Sequence, residues 1–411
     1  MTAVVSDLRP YDADRDLQAV MRIWREVGWI DASDGQAEAL ETFLTIGHAD
    51  VALMDGAAEC MVHRTEGSIR YEQSDLALCA ITAVTTSRIA RKQGFASRLT
   101  AKALADGAAE GAEVAALGMF EQGFYDRFGF GTGSYEHGIT FDPGSLTVDV
   151  AYRAPVRLGT ADWPDIHRAM VGRMRSHGSV VLDPPAAVAA NLGLIEEPFG
   201  LGYRQGERLT HFVFGSAKGE HGPYRISWIG YEDPGQLLEL LRLLRELADQ
   251  VASVKMAEPP ELQMQDLIEQ PIRQQLRSSR SDHQTSIETL AWLQLRILDV
   301  AACVARRHWP GPPVEFNLTL TDPLADRLDG PWRGVGGDYA VSVASQSTVE
   351  RGQRSGLPTL TATVNAFSRL WFGVRPASSL RYTDALGGPP ELLARLDEAL
   401  RLPPPHPGWD F

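Results

Sequence analysis

Residues 78–131 read LCAITAVTTSRIARKQGFASRLTAKALADGAAEGAEVAALGMFEQGFYDRFGFG, and this stretch decides the fold. The apolar run 78–84 predicts a strand, and a basic turn from Arg88 to Ala96 follows it. Over 96–110 the apolar and small residues Leu99, Ala103 and Leu104 recur at helical spacing. A second strand is expected at 114–119, then a short helix carrying Tyr125. A helix that opens at a glycine just after a strand offers unpaired backbone N–H groups and its positive dipole end to an anion. Gly94 permits close backbone approach, Ala96 keeps the first turn slim, and Arg91 and Lys92 add charge. Such a turn suits a pyrophosphate.

The pattern Arg91-x-x-Gly94-x-Ala96 resembles the coenzyme A pyrophosphate loop of the GNAT acetyltransferases. The segment Phe124-Tyr125-Asp126-Arg127-Phe128-Gly129-Phe130 resembles the one that carries a tyrosine near the thioester sulfur in many of them.

The chain has 411 residues, which favours two or three domains over a single core. A formal charge of -14 argues against a general nucleic-acid binder and mildly favours cationic substrates. Cys60, Cys79 and Cys303 are odd in number and widely spaced, so neither a disulfide framework nor a zinc spacing is available. They read as buried structural thiols. His63, His137, His211, His283 and His308 show no paired ligand spacing, and no metal site is expected. The N-terminus lacks a signal-peptide pattern and no apolar run reaches membrane-spanning length, so the expected compartment is the cytoplasm.

Along the chain the first section reads as an α/β unit, with a helix at 16–27 and strands at 50–53, 59–64, 78–85 and 114–119. A last strand is expected at 135–141, before Asp142-Pro143-Gly144 breaks the pattern. A second α/β unit begins with a strand at 148–153 and a helix at 163–176. Strands at 199–204, 208–215 and 224–231 follow, then an apolar helix at 236–252, but no second glycine-centred turn. The third section opens over 291–300 with a short strand and Asp299 as the cap of a helix running through Arg306, followed by strands at 314–321, 339–344 and 357–364 and helices at 365–372 and 390–401. Its apolar segments 314–320 and 367–374 read as core rather than as tunnel walls. The proline run 403–407 makes the final approach semi-rigid.

Taken together, the chain resembles the Eis (enhanced intracellular survival) family of bacterial N-acetyltransferases. That resemblance implies an α/β (α+β) chain of two tandem GNAT-like domains followed by a sterol-carrier-like domain. The expected bounds are 1–149 (catalytic GNAT), 150–288 (degenerate GNAT-like) and 289–411 (sterol-carrier-like). It also implies acetyl-CoA as co-substrate, an amine acceptor such as a polyamine or aminoglycoside, no metal, and a homo-oligomer, hexameric as in the family. Val84, Thr85 and Thr86 match the strand that pairs with the pantetheine arm. Lys92, Gln93, Gly94, Phe95, Ala96 and Ser97 match the pyrophosphate loop, and Phe120 and Glu121 a further cofactor contact. Tyr125 matches the general acid, and the α-carboxylate of Phe411 the general base. Phe120 stands where the family more often has a small polar residue, and Ala83 where relatives are often bulky. The segment 24–31, with Trp24, Glu26 and Asp31, would line the acceptor pocket. The alternatives are a non-catalytic coenzyme A-binding, lipid-binding or regulatory protein, and a protein lysine acetyltransferase.

Overall fold

The computed structural model describes residues 8–30, 34–269, 285–328 and 330–411. They form two compact units. One comprises Met1–Ser134, Ser176–Pro184 and Ala291–Phe411, the other Tyr135–Arg175 and Pro185–Leu290.

In the first unit, β1 (Leu8–Pro10), β2 (His48–Met54), β3 (Ala57–Tyr71), β4 (Ser74–Thr86) and β5 (Val114–Gly118) lie side by side in that order. Helix α1 (Ala13–Val27) follows β1. Its cap Asp12 accepts from the Asp14 amide, and its buried face is Val20, Ile23 and Trp24, one side of a 3.6-residue period. A helix that the sequence pattern did not announce, α2 (Asp34–Thr45), comes next. Helix α3 (Phe95–Ala109) links β4 to β5, which run parallel. Its Leu99, Ala103 and Leu104 bury against Cys60, Val62, Cys79 and Ile81 of the sheet.

The strand expected to close this sheet lies elsewhere. Glu136–Phe141 pairs with Val254–Ala257 and Ser286–Leu290 in the second unit. The place beside β5 is taken by Leu293–Ile297, antiparallel, with Gly131–Thr132 on its far side. Every residue of Leu293–Ile297 is buried, as suits a strand covered on both faces, whereas Glu136–Phe141 is buried only over its second half. Strand β3 runs longer than expected, and its far half pairs with Val180–Leu182.

The second unit holds a seven-stranded sheet in which Tyr224–Gly230 and Val254–Ala257 run parallel, joined by the helix Pro234–Glu246. Asp233 caps that helix by accepting from the Gln236 amide at 2.9 Å, and Leu237, Leu240, Leu241 and Leu244 fill the core. Strand, helix and parallel strand thus recur as in the first unit. The strand expected at 148–153 is absent; Val156–Leu158 forms the sheet edge instead. Residues 151–154 are exposed there, and Arg153 pairs with Glu239 at 2.8 Å. The helix expected at 163–176 is shorter, Trp163–Gly172.

The C-terminal part of the first unit opens as expected, with Asp299 capping Val300–Ala305 by accepting from the Ala302 amide at 3.0 Å. A five-stranded sheet follows, with Val314–Thr321 parallel to Thr359–Thr363, backed by the helices Val364–Trp371, Ala377–Thr383 and Pro390–Ala399. Phe316, Leu318, Phe367 and Trp371 are sealed in its core. No helix among the described residues is long and apolar enough to cross a membrane.

Candidate active site

Strands β4 and β5 pair only from Leu78 to Ile81 on one and Val114 to Leu117 on the other. Beyond that point each stays with its outer neighbour. Thr85 and Thr86 of β4 face Met61 and Cys60 of β3, while Gly118 faces Leu293, and the Met119 amide donates to the Trp292 carbonyl at 2.8 Å. A bulge drives the parting. Ala83 and Val84 sit opposite a shortened stretch of β3, and Ala83 takes φ 50°, a left-handed conformation that bends the strand. The wedge leaves the β5-facing backbone of Val84 to Thr86 without a strand partner among the described residues, and an extended ligand can pair with such an edge.

At the end of β4 the chain turns through Arg88, Arg91, Lys92 and Gln93, all exposed, into α3. Gly94 is the cap of α3 at φ 81°, and no side chain caps the helix. The first-turn amides of Phe95, Ala96 and Ser97 precede the intrahelical ladder, which starts with the Arg98 amide on the Gly94 carbonyl at 3.1 Å. Nothing lies within 4 Å of where a Gly94 side chain would start, so the approach to these donors is open. Glu26 of α1, expected in an acceptor pocket, braces this turn instead. Its carboxylate accepts from the Arg88 amide at 2.8 Å, and its carbonyl from the Arg88 guanidinium at 3.2 Å.

After β5, Phe120 and Glu121 are exposed, and a single turn of 3-10 helix, Tyr125–Phe128, follows. The Tyr125 ring is buried edge-on to Phe124 at 4.9 Å and to Phe130 at 6.2 Å. Among the described residues its hydroxyl has no hydrogen-bond partner. Burial, aided by the nearby Glu121 carboxylate, pushes the Tyr125 hydroxyl well above the usual tyrosine range, so it stays protonated. The ring packs among three phenylalanines, the third being Phe128 at 6.5 Å.

Phe411 comes to the same end of β5. Its carbonyl oxygen lies 3.7 Å from where a side chain on Gly118 would begin, next to the Trp292 ring. The tail reaches this place held by two backbone bonds, the His406 amide to the His177 carbonyl at 2.9 Å and the Val180 amide to the Pro407 carbonyl at 2.8 Å. Of the segment 24–31, Trp24 is buried against Phe43 and Trp29, Trp29 is 44% exposed, and Asp31 lies outside the described residues. Sequence reasoning missed His63, which is fully buried on β3 opposite Thr82 and packed on Phe43 at 4.3 Å. Burial lowers its pKa to about 4, and its Nε2 meets the Ile46 carbonyl. The three cysteines are unpaired and buried. His48, Glu66 and Glu110 gather at the surface, but Glu110 is held by Arg64 in a two-pronged ion pair at 2.5 and 2.6 Å.

Residues 7–133 match the family described as acetyltransferase (GNAT) domain, and residues 300–408 the sterol carrier protein domain. An uncharacterized N-acetyltransferase of Streptomyces avermitilis is 26% identical over 334 residues, 75% of this chain and 73% of that protein. Among solved structures, a probable N-acyltransferase of unknown function from Enterococcus faecalis V583 aligns with TM-score 0.80 at 16% identity. That alignment covers 99% of this chain and 100% of the other. Eis1 from Mycobacterium abscessus aligns with TM-score 0.76 at 17% identity, also over 99% and 100%. The parted parallel strands, the uncapped helix start and these likenesses agree: the chain carries a GNAT-type acetyltransferase domain over residues 7–133 and a sterol carrier protein domain over residues 300–408, in a fold like that of Eis1.

Proposed function

We propose that the protein moves the acetyl group of acetyl-CoA to an amine of a cationic small molecule, of polyamine or aminoglycoside type. The observation that carries this is the wedge between β4 and β5, with a bare helix start at its mouth and the buried Tyr125 hydroxyl after β5. The pantetheine arm would lie along Val84, Thr85 and Thr86. The pyrophosphate would meet the amides from Lys92 to Ser97, with Phe120 and Glu121 at the exit of β5. The excess of acidic residues in the chain favours a cationic acceptor.

In the step itself the neutral amine nitrogen attacks the thioester carbonyl carbon. A C–N bond forms, the C–S bond breaks, and backbone N–H groups beyond Ala83 hold the developing oxyanion. As the general acid, the Tyr125 O–H donates a hydrogen bond to the departing sulfur, and the thiolate so released takes its proton from solvent. For a chain that terminates at Phe411, its α-carboxylate receives the proton of the new ammonium through a water. A carboxylate of pKa about 3.5 is a weak base, so its main work is to bind and orient the amine. The sections 1–149, 150–288 and 289–411 are proposed as modules, in a cytoplasmic protein that assembles with itself as a hexamer.

The test is thiol release from acetyl-CoA with spermidine, kanamycin and a lysine peptide, for the wild type, Tyr125→Phe and a chain lacking Phe411. Turnover with a small amine that both changes reduce, cofactor affinity being kept, is the expected result. Silence of the wild type with every amine would sink the proposal, and turnover of the peptide alone would move the acceptor to protein lysine. Light scattering of the purified protein checks the hexamer.

A further inference from the structure

The turn that carries Tyr125 cannot hold itself. It is one turn of 3-10 helix, closed by the Gly129 amide on the Asp126 carbonyl at 3.0 Å, and so short a helix is not stable alone. What holds it comes from far along the chain. The Asn365 side-chain amide donates both its hydrogens, to the Asp126 carbonyl and to the Phe130 carbonyl, each at 2.8 Å. The Arg296 guanidinium donates to the Phe128 carbonyl, and its other arm is paired with Asp322 at 2.6 Å, both side chains being fully buried. Gln294 donates to the Asp126 carboxylate and to the Thr132 hydroxyl, each at 3.2 Å. The carbonyls of Asp126, Phe128 and Phe130 are therefore all taken by side chains from beyond residue 290.

Asn365 is itself fixed. It lies in the first turn of the helix Val364–Trp371, which Thr363 caps, and Ser368, on the same face of that helix, accepts from the Ile297 amide at 3.0 Å. The Tyr125 ring packs on Phe124, Phe128 and Phe130 within the apolar core, and its hydroxyl has no hydrogen-bond partner among the described residues, so no polar contact aims it and the backbone of 126–130 that carries the ring sets where the hydroxyl points.

We propose that Asn365, a residue of the sterol carrier protein domain, is a positioning residue for acetyl transfer: by holding both ends of the 126–130 segment it aims the Tyr125 hydroxyl at the leaving sulfur. This gives that domain a part in the chemistry of the first, and it rests on the reading of Tyr125 as the acid. Asn365 touches no substrate. Its effect must therefore run through Tyr125 and vanish when the hydroxyl is gone.

The experiment pairs hydrogen exchange with kinetics on the full chain, for Asn365→Ala, the isosteric Asn365→Asp, Tyr125→Phe and the doubles with Tyr125→Phe. The Asp variant keeps the volume should the Ala variant not fold. Exchange needs no substrate: the peptide spanning Tyr125 to Gly129 should exchange about tenfold faster in both Asn365 variants, with α3 unchanged. With spermidine or kanamycin as acceptor, kcat should fall about ten- to a hundredfold, the scale of a misplacement near 1 Å, with KM for acetyl-CoA unchanged. The doubles should lose nothing beyond Tyr125→Phe. Unchanged exchange overturns the proposal, and so does an Asn365 variant that keeps full rate while Tyr125→Phe is impaired. A further loss in the double has the same meaning. If Tyr125→Phe itself keeps full rate, the acid assignment is what fails.

Discussion

Tyr125 is a hydroxyl kept neutral by its surroundings. Its pKa is raised by burial, so the sign is clear: the proton stays on through neutral and moderately alkaline pH, where an exposed tyrosine would begin to lose it near 10. A cysteine-type thiol has a pKa of about 8.5, so in the proposed reaction Tyr125 would act mostly as a hydrogen-bond donor to the forming thiolate. Tyr125→Phe should lower kcat by about a hundredfold and leave KM for acetyl-CoA unchanged, in steady-state thiol release. The wild-type kcat should show no decline from this group below pH 10, and a fall centred near 9 that Tyr125→Phe abolishes would contradict the assignment. The tyrosine was legible because Phe124 to Phe130 carry a local signature. Its fastenings were not: Asn365 and Arg296 are ordinary residues of distant elements, and only the folded chain reveals that they share three carbonyls.

At the scale of the element, the start of α3 separates stability from binding. Lys92 takes φ 62° beside Gly94 at 81°, so a side chain sits where the backbone favours glycine. Lys92→Gly should relieve strain of about 1 kcal/mol and raise the melting temperature slightly. It should also raise KM for acetyl-CoA several-fold by removing a charge at the turn, an effect of roughly 1 kcal/mol that fades as salt is added. A lower melting temperature together with an unchanged KM would contradict both halves. Gly94→Ala has open space around the new methyl, so its cost is purely conformational, again about 1 kcal/mol, read from denaturant midpoints. The β4–turn–α3–β5 order could be read from residues 78–119 because each piece has its own period and its own punctuation. The exchange of strands could not. Both Glu136–Phe141 and Leu293–Ile297 read as strands, but which sheet each joins depends on non-local pairing, and sequence adjacency pointed the wrong way for the first.

At the scale of the whole molecule, the first unit carries two histidines buried as neutral rings. His63 meets the Ile46 carbonyl through Nε2. The His177 Nε2 lies 3.1 Å from the Phe372 carbonyl and its Nδ1 accepts from the Glu72 amide at 3.3 Å, which fixes the tautomer with the proton on Nε2. Burial lowers both to about 4. An unfolded histidine takes its proton near 6.5, so below that pH the unfolded chain binds protons that the folded chain refuses. Their contribution is thus complete above about pH 6.5 and declines as pH falls toward 4, by up to about 1.4 kcal/mol per pH unit for each ring. The carboxylates held low by ion pairs, such as Glu110 under the Arg64 guanidinium, act later, below the ordinary carboxylate range. Urea unfolding from pH 7 to 4.5 should therefore show a slope near two protons, and His177→Gln should remove one of them by leaving an amide that cannot titrate. Stability flat across that window would mean that one or both rings are charged or wetted in the folded protein. Since His177 also ties the segment Ser176–Pro184 to Phe372 and, through its carbonyl, to the tail at His406, the same titration should loosen the approach of Phe411 to β5. Acid should then reduce kcat for the amine before it unfolds the chain, and His177→Gln should shift that loss to lower pH.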